Sequence, residues 1–328
     1  MDQLRSLRVF ARVIAEGSFA GAARALDMAP AGVTRAVAEL EAHLGARLLN
    51  RSTRRLALTE IGAAYLERAR RILAELDDAD ALAGASTAQP RGNLRVLAPP
   101  AFAVHQLARH LPRFRERYPQ LGLELVTPGP VDAADENFDV SILSIAQQPL
   151  QGDFVARRLA CSAFVVCAAP GYLNRRGRPA HPDDLLQHDG VLPAVAAVRR
   201  ELTLYRCAPG DAADETAEAV TLPTSAPALS TGHIEVIFAA AVAGLGIAGL
   251  PSFVADEALR DGRLERVLPQ WRGLTLTLYA AMPTRQHVPA RTRAFVDFLV
   301  QTFGGEARDP WLHDRGASVS PVVQRVNP

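Results

Sequence analysis

Apolar residues recur at helical spacing through the first 45 residues and divide them into three short segments. Gly17 interrupts the pattern after the first segment, Ser18 is a favourable N-cap for the second, and Gly45 stops the third. The three apolar faces consist of Leu4, Leu7, Phe10 and Ile14; Phe19, Ala22, Ala23 and Leu26; and Val33, Val37, Leu40 and Leu44. The pattern predicts three helices, of which the last two are joined only by "DMAPAG".

That link is too short for a domain linker and too rich in Pro and Gly to continue a helix. Two short helices joined this tightly cross at a steep angle, which is the helix-turn-helix arrangement that presents its second helix to a DNA major groove. The outer face of the third predicted helix carries Ala31, Arg35 and Ala38, with Thr34 beside them. Small side chains permit close approach there, and Arg35 can reach a base edge. A plain helical hairpin inside a core is the alternative interpretation.

The next stretch, "LLNRSTRRLALT", places short apolar runs on either side of a basic centre. It predicts a small hairpin with a basic tip from Arg51 to Arg55, a wing that would lie along the DNA backbone or in the minor groove. A solvated charge cluster is the alternative for the same residues. The position directly after a candidate recognition helix favours the wing.

The stretch "FARVIAEGSFAGAARALDMAPAGVTRAVAELEAHLGARLLNRSTRRLALTEIGAAYL" resembles the LysR-type transcriptional regulators. The resemblance covers residues 1–66 without a gap and continues to about residue 303. It implies that Thr34 and Arg35 face the groove and that the wing contacts DNA. The candidate DNA-binding residues are Ser18, Pro30, Ala31, Thr34, Arg35, Arg51, Ser52, Thr53, Arg54 and Arg55.

This chain departs from the family pattern at the start of the third predicted helix. The family commonly has Ser-Gln-Pro where this chain has Ala29, Pro30 and Ala31. A Gln that can reach a base is therefore missing, and Ala29 is a poor helix cap, whereas Pro30 is tolerated as the first helical residue. The mode of DNA binding is expected to survive, with a different base-reading code at Pro30.

A long helix is predicted from Thr59, its cap, to about Gly84, and its apolar residues follow alternating steps of four and three. Those residues are Tyr65, Ala69, Ile72, Leu76, Ala79 and Ala83. Such a seam indicates a coiled coil with a second subunit; packing on the chain's own domain is the alternative. In the resembling family this helix forms the dimer. The following stretch, "ASTAQPRGN", predicts a hinge.

From Leu94 onward, strand-like and helix-like runs alternate, which predicts mainly parallel sheets flanked by helices. The family resemblance implies two subdomains, with the chain crossing between them twice as in a periplasmic binding protein, and a small-molecule effector in the cleft. Two loops before predicted helices are expected to line it. The candidate effector-binding residues are Pro100, Ala101, Phe102, Thr224, Ser225, Thr231 and His233. His233 is either an anion ligand or a residue of the capping turn.

Composition and charge add little to this picture. The chain has 328 residues, 48% of them apolar, and a net charge of +1, with all 36 basic residues being Arg. Every phosphate contact must therefore come from a guanidinium. Charges run through the N-terminus, and no later segment stays apolar for about 18 residues, so a cytoplasmic protein is expected.

No catalytic, cofactor or metal pattern stands out. "GLGIAG" (244–249) matches a dinucleotide fingerprint, but it follows a predicted helix and leads into a strand, which is the wrong context. Cys161 and Cys167 share a face of one strand-like run. They are interpreted as small buried residues, with a redox pair as the alternative. No Cys/His spacing is typical of zinc.

The sequence thus predicts an α/β protein: an N-terminal winged helix-turn-helix plus linker helix, then a bilobal α/β effector-binding domain of periplasmic-binding-protein type. Expected boundaries are 1–58 for the DNA-binding domain, 59–84 for the linker helix, 85–93 for the hinge, 94–303 for the effector domain and 304–328 for a mobile tail. The expected partners are promoter DNA, an effector, a homodimer or homotetramer, and RNA polymerase. Alternatives are a regulator whose second domain only oligomerises, and an enzyme or small-molecule-binding protein with an accessory helical segment.

Overall fold

The computed structural model of the chain describes residues 2–52, 55–83, 90–146, 149–194, 201–207, 218–224, 226–283 and 288–312. They fall into two compact units. The first unit holds Met1–Asn93 with the short pieces Gln120–Gly122 and Val288–Arg291, and the second unit holds the rest.

The first unit is a three-helix core with a two-stranded hairpin and a long helix. Its elements are α1 (Gln3–Ala15), α2 (Phe19–Ala25), α3 (Pro30–Leu44), β1 (Leu49–Ser52), β2 (Arg55–Leu58) and α4 (Glu60–Ala83). The apolar faces predicted for the three short helices meet in one cluster around Phe10, Val33, Val37 and Leu40. The three predicted helices and the hairpin are therefore confirmed.

The helix ends in this unit follow from their local sequence. The Ser18 side chain accepts a hydrogen bond from the Gly21 backbone N–H at 3.0 Å and so caps α2. Ala29 offers no such bond to α3, as its methyl side chain predicts, and Pro30 takes the first helical position. Gly45 ends α3 at a φ of +63°, a left-handed conformation that glycine adopts at little cost.

From residue 92 to residue 303 the chain alternates strands and helices, as predicted, and most of this stretch belongs to the second unit. Its strands are β3 (Gly92–Leu97), β4 (Leu121–Val126), β5 (Val140–Ile145), β6 (Phe154–Ala168), β7 (Gly190–Pro193), β8 (Glu201–Arg206), β9 (Ala219–Pro223), β10 (Leu229–Thr231), β11 (Ile247–Pro251), β12 (Glu265–Arg266), β13 (Trp271–Arg272) and β14 (Thr275–Pro283). Its helices are α5 (Pro100–Phe102), which passes through a π-helical turn (Ala103–Leu107) into α6 (Ala108–Arg117), then α7 (Pro170–Arg176), a 3₁₀ helix (Pro182–Gln187), α8 (Ile234–Val242), α9 (Ser252–Arg260) and α10 (Ala290–Phe303).

One sheet joins both halves of the second unit, in the order β10-β7-β11-β6-β14-β5-β3-β4. Strand β6 leaves the half that contains β3 and β5 for the half that contains β7 and β11, and β14 returns. These two crossover strands pair antiparallel with each other and with their neighbours, because a chain that returns along its own path must reverse. The prediction of mainly parallel sheets was wrong for these strands, whereas β3 with β5 and β7 with β10 and β11 are parallel.

Residues 304–312 lie against the crossover, although their Gly-rich and Pro-containing sequence predicts a mobile tail. The backbone N–H of Cys161 donates to the Arg308 carbonyl at 2.9 Å, and the Trp311 ring packs on Phe253 and Phe303. Residues 313–328 lie outside the described part of the chain. The first nine residues of the expected tail therefore belong to the folded unit.

Asp309 is the centre of this docking. Its carboxylate accepts hydrogen bonds from the backbone N–H of Ala163 at 2.7 Å and from the Ser252 hydroxyl at 2.7 and 2.9 Å. The backbone N–H groups of Trp311 and Leu312 also donate to it. Burial raises the pKa of Asp309 above its usual value, and these donors oppose the rise.

Candidate DNA-binding surface and effector site

The face of α3 that points away from the core is open and largely uncharged. Ala31, Thr34 and Arg35 are all exposed there. The Thr34 hydroxyl donates to the Pro30 carbonyl at 3.1 Å, so it is held against the helix and keeps its lone pairs as acceptors. Among the described residues, Arg35 has neither a hydrogen bond nor an ion pair through its guanidinium. This is the arrangement that base recognition requires: a long donor on a surface of small residues.

The hairpin that follows α3 is fixed at its base by the side chains of Glu41, which the sequence analysis did not single out, and of Thr59, the predicted helix cap. Glu41 accepts hydrogen bonds from the backbone N–H groups of Leu48 and Leu49 at 2.8 and 3.1 Å. The Thr59 hydroxyl donates to the Arg47 carbonyl at 2.8 Å and accepts from the Gly62 N–H, which confirms it as the cap of α4. The only sequence signal for Glu41 is its place in α3 directly after the buried Leu40, a few residues before the apolar run at Leu48 and Leu49.

Gly62 shows how closely the hairpin approaches α4. A Cβ atom at Gly62 would lie 2.0 Å from the Leu48 carbonyl oxygen. That distance is too short for any residue other than glycine. Thr53 and Arg54 lie outside the described residues, as do the side chains of Arg51, Ser52 and Arg55. The predicted wing contacts stay predictions. The base of the hairpin that would carry them is held by the hydrogen bonds of Glu41 and Thr59.

The seam predicted on α4 divides into two parts. Ala69 is buried in the core of the first unit, and Tyr65 is half-buried with its ring 6.2 Å from that of Phe10, so these two pack on their own domain. Ile72 is 50% exposed and Leu76 half-buried. Ile61, which the sequence analysis missed, is 59% exposed. It lies about three turns before Ile72 on nearly the same face of α4. The side chains of Ala79 and Ala83 lie outside the described residues.

The first predicted effector loop keeps only part of its expected role. Pro100 and Ala101 begin α5 and are partly exposed. Phe102, by contrast, is fully buried, with its ring against those of Phe253 and Phe303. It was predicted to line the cleft, and the aromatic cluster places it in the core instead.

The second predicted loop is polar and open. The Thr231 hydroxyl accepts a hydrogen bond from the His233 N–H at 3.2 Å, and His233 is the N-cap of α8 without a side-chain cap of its own. His233 therefore lies in the capping turn with its imidazole exposed, and its role as an anion ligand stays a prediction. The Thr224 hydroxyl is buried and has no hydrogen-bond partner among the described residues. Ser225 lies outside them.

A side-chain pair that the sequence analysis missed joins the helices that follow these two loops. His105 Nε2 lies 3.1 Å from Glu235 Oε2, and the His105 ring also packs edge-on against Phe238. The other carboxylate oxygen, Oε1, is buried and unpartnered within the described ranges. No sequence spacing indicates this pair, because its members are 130 residues apart.

The cysteines are free and mostly buried. Cys161 and Cys167 are buried, and burial raises the pKa of the Cys167 thiol to about 12. Cys207 is half-buried. Within the described residues, no cluster of His, Cys, Asp and Glu could hold a metal ion, and no helix is long and apolar enough to cross a membrane.

Two family models match almost the whole chain. The model of the bacterial regulatory helix-turn-helix protein, lysR family, matches residues 4–63, and the LysR substrate binding domain matches residues 87–304. The protein belongs to the LysR family of transcriptional regulators. This LysR-family regulator is therefore a DNA-binding protein with a substrate-binding domain, and not an enzyme.

Named relatives agree over nearly their full length. The chain is 34% identical to the regulator CrgA of Neisseria meningitidis serogroup C, covering 91% of this chain and 96% of CrgA. It is 31% identical to the transcriptional activator AaeR of Escherichia coli, covering 92% and 94%. A transcriptional repressor of Pseudomonas aeruginosa is also 31% identical, over 92% and 93%.

Solved structures show the same architecture. The CrgA structure from Neisseria meningitidis covers 92% of this chain and 98% of its own, with a TM-score of 0.56 and 31% identity. The full-length structure of the Vibrio cholerae virulence activator AphB covers 92% and 99%, with a TM-score of 0.55 and 25% identity. A winged helix-turn-helix and an α/β regulatory domain are thus shown for this chain.

Proposed function

We propose that this regulator recognises specific promoters through the open face of α3 and changes their activity when its second unit binds a small-molecule effector. The observation that carries the first half is the exposed, unengaged guanidinium of Arg35 among small side chains. Arg contacts guanine O6 and N7 bidentately, so a free Arg on this face is suited to base readout. The protein is expected to act in the cytoplasm on double-stranded promoter DNA, with RNA polymerase as a partner at the promoter.

Assembly as a homodimer or homotetramer is part of this proposal. Ile61 and Ile72 are exposed apolar side chains on α4, on either side of Tyr65 and Ala69, which pack on the rest of the first unit. Exposed Ile residues at helical spacing favour burial by a second copy of the helix. Two copies of α3 on one DNA duplex would then read two half-sites.

Effector sensing is supported by polar groups without partners beside the second loop. The Thr224 hydroxyl and Glu235 Oε1 are both buried, and neither has a hydrogen-bond partner among the described residues. Buried polar atoms are nearly always paired, so a ligand is a natural source of the missing bonds. Thr231 and His233 follow Thr224 along the chain and open the helix that bears Glu235.

Selection of genomic fragments by the purified full chain tests the function. Recovered fragments should converge on a few promoters, and the Arg35→Ala variant should lose that convergence while still retaining DNA. An Arg12→Ala variant is the control, since Arg12 pairs with Glu16 on α1. Fragments without a shared sequence would contradict specific recognition. Specific DNA binding that no metabolite alters would favour a second unit that only oligomerises.

A further inference from the structure

Arg272 is a buried cation whose hydrogen-bond and ring partners in the described part of the chain are all neutral. It is 7% exposed and lies just before the returning crossover strand β14. Its Nη1 donates to the Gly273 carbonyl at 3.3 Å and to the Thr275 hydroxyl at 3.0 Å, and its guanidinium lies 5.6 Å from the centre of the Tyr205 ring. Buried charges in proteins are normally paired, because removing an ion from water costs several kcal/mol.

The unused part of the guanidinium has a defined shape. Within the described residues, Nε and Nη2 of Arg272 have no hydrogen-bond acceptor. These two nitrogens form one edge of the planar group and donate in parallel, which matches the two oxygens of a carboxylate. Nη1 holds the group in place, so the free edge is oriented before any ligand arrives.

The same molecule shows what fills such an edge. Arg178 uses Nε and Nη2 to donate to the two carboxylate oxygens of Glu265 at 2.7 and 2.9 Å. Arg178 is exposed and has an acid, whereas Arg272 is buried and has none among the described residues. The less exposed of the two arginines is therefore the one left without an acid among the described residues.

The surroundings of Arg272 are polar and lie on a defined face of the crossover. Thr275 pairs with Ala163 and Thr277 with Cys161, so their side chains share one face of β6 and β14. Both threonines are half-buried. Ser162 points to the opposite face, where Ser252 and Asp309 cover it. The Asp309 carboxylate therefore reaches Ser252 on the face opposite to the one on which Arg272 reaches Thr275.

We propose that the Nε–Nη2 edge of Arg272 binds the carboxylate of a small organic anion on this face of the crossover strands. The proposal rests on the proposed function only in naming that anion as the effector. Because both strands connect the two halves of the second unit, a ligand held there touches the segment on which any change between the halves depends.

Thermal unfolding of the full chain in anion titrations tests the site. Sodium acetate, succinate and benzoate are the probes, with sodium chloride and phosphate at equal ionic strength as the other arms. At least one carboxylate should raise the Tm by about 3 °C or more at ten times its dissociation constant, and chloride and phosphate should not. Arg272→Lys keeps the charge without the planar fork and should weaken binding at least tenfold. Arg272→Met should abolish the shift, and Arg178→Met should leave it unchanged.

Two results would overturn the proposal. The first is a wild-type protein whose Tm responds to no carboxylate, and the second is a response that persists in both Arg272 variants or appears only with phosphate. Arg272→Lys, checked by circular dichroism, keeps the test decisive if Arg272→Met does not fold.

DNA binding separates this proposal from the proposed function. Loss of DNA affinity on adding the carboxylate, in wild type and not in Arg272→Lys, supports both. Arg272-dependent carboxylate binding without any change in DNA affinity keeps the site and overturns its effector role. A wild type that selects no DNA overturns the proposed function, while the anion titration still reads out the site.

Discussion

His105 Nε2 and Glu235 Oε2 lie 3.1 Å apart and link the helix that follows the first predicted effector loop to the helix that follows the second. Both side chains belong to the second unit, and Phe238 covers the His105 ring. Because these helices are in contact, the two loops that precede them belong to neighbouring elements. The sequence pattern alone did not establish this. The predictions about sensing follow from this relationship.

Replacing Thr231 with Val keeps the shape of the second loop and removes its hydroxyl. Because that hydroxyl lies at the entrance to α8, where it accepts from the His233 N–H, its loss should weaken effector binding by about 1–3 kcal/mol. Calorimetry on the full chain measures this once an effector is in hand. Thr221→Val is the control, since Thr221 bonds only Thr203 on an exposed hairpin. Equal affinity in Thr231→Val and wild type would place the effector elsewhere.

Arg35→Ala should lower discrimination at one base pair by about 1–3 kcal/mol, since a bidentate Arg–guanine contact carries sequence information. Affinity for random DNA should fall less. Both affinities are measured at one salt concentration, because phosphate contacts vary steeply with salt. An equal loss on specific and random DNA would mean that Arg35 contacts phosphate only.

Ile72→Asp should dissociate the protein toward monomers and abolish tight binding to its operator. Ile72 is exposed in the single chain, so a charge there is harmless until a second subunit buries it. Light scattering and sedimentation report the assembly. Ala63→Asp is the matched control, since Ala63 is exposed and lies nine residues earlier, half a turn round the same helix. An unchanged oligomer in Ile72→Asp would remove α4 from the interface.

Asp309→Ala should lower the free energy of unfolding by about 1–3 kcal/mol, since it leaves the Ala163 N–H and the Ser252 hydroxyl unpaired. Urea unfolding measures the loss, and the Asp132→Ala variant, at an exposed aspartate, should show no measurable change. A truncation after residue 303 should lose at least as much as Asp309→Ala, because Trp311 leaves with it. Wild-type stability in that truncation would mean that the docking of residues 304–312 does not contribute to the free energy of unfolding.

The Asp309 contribution should also depend on pH. Its pKa is raised in the folded protein, chiefly by burial, so the folded state binds the proton more tightly than the unfolded state. The stability it confers is complete below its ordinary pKa of 3.8 and is lost as the pH rises through the raised value. The difference between wild type and Asp309→Ala should thus be larger at pH 4.5 than at pH 7.5. The opposite trend would show that the hydrogen bonds outweigh burial.

Thiol labelling of the native protein should modify Cys207 and spare the other two cysteines. The pKa of Cys167 is raised to about 12, so almost no thiolate exists near pH 8, and Cys161 is buried. Mass spectrometry after a short exposure to a maleimide identifies the modified sites. Rapid labelling of Cys161 would instead favour the redox interpretation of that strand.

Much of the first unit could be predicted because its signals are local. Helix periodicity, the Ser18 cap and the Gly45 stop each depend on residues within a few positions. The seam on α4 was only partly predictable, since periodicity cannot tell whether Ala69 meets its own domain or a partner. Its burial depends on α1, which is distant in sequence.

The second unit shows where such reasoning stops. Alternating runs predict its strands but not that β6 and β14 pair antiparallel, because pairing joins residues more than 100 positions apart. Asp309 bonds Ala163 from 146 positions away, and nothing in a Gly-rich stretch indicates that partner. The prediction that Phe102 lines the cleft was wrong for the same reason, since its ring packs in a cluster contributed by α9 and α10.

The contact between Gly62 and the Leu48 carbonyl has a mechanical consequence. No side chain separates them, so the backbones of the hairpin and α4 are in direct contact. The two elements are therefore expected to move as one rigid body. If two α4 helices pair, the angle between them sets the distance between the two hairpins. That distance then determines which spacing of half-sites the dimer can bind. A substitution at Gly62 would push the hairpin away from α4 and would thereby change the operator spacing that is accepted.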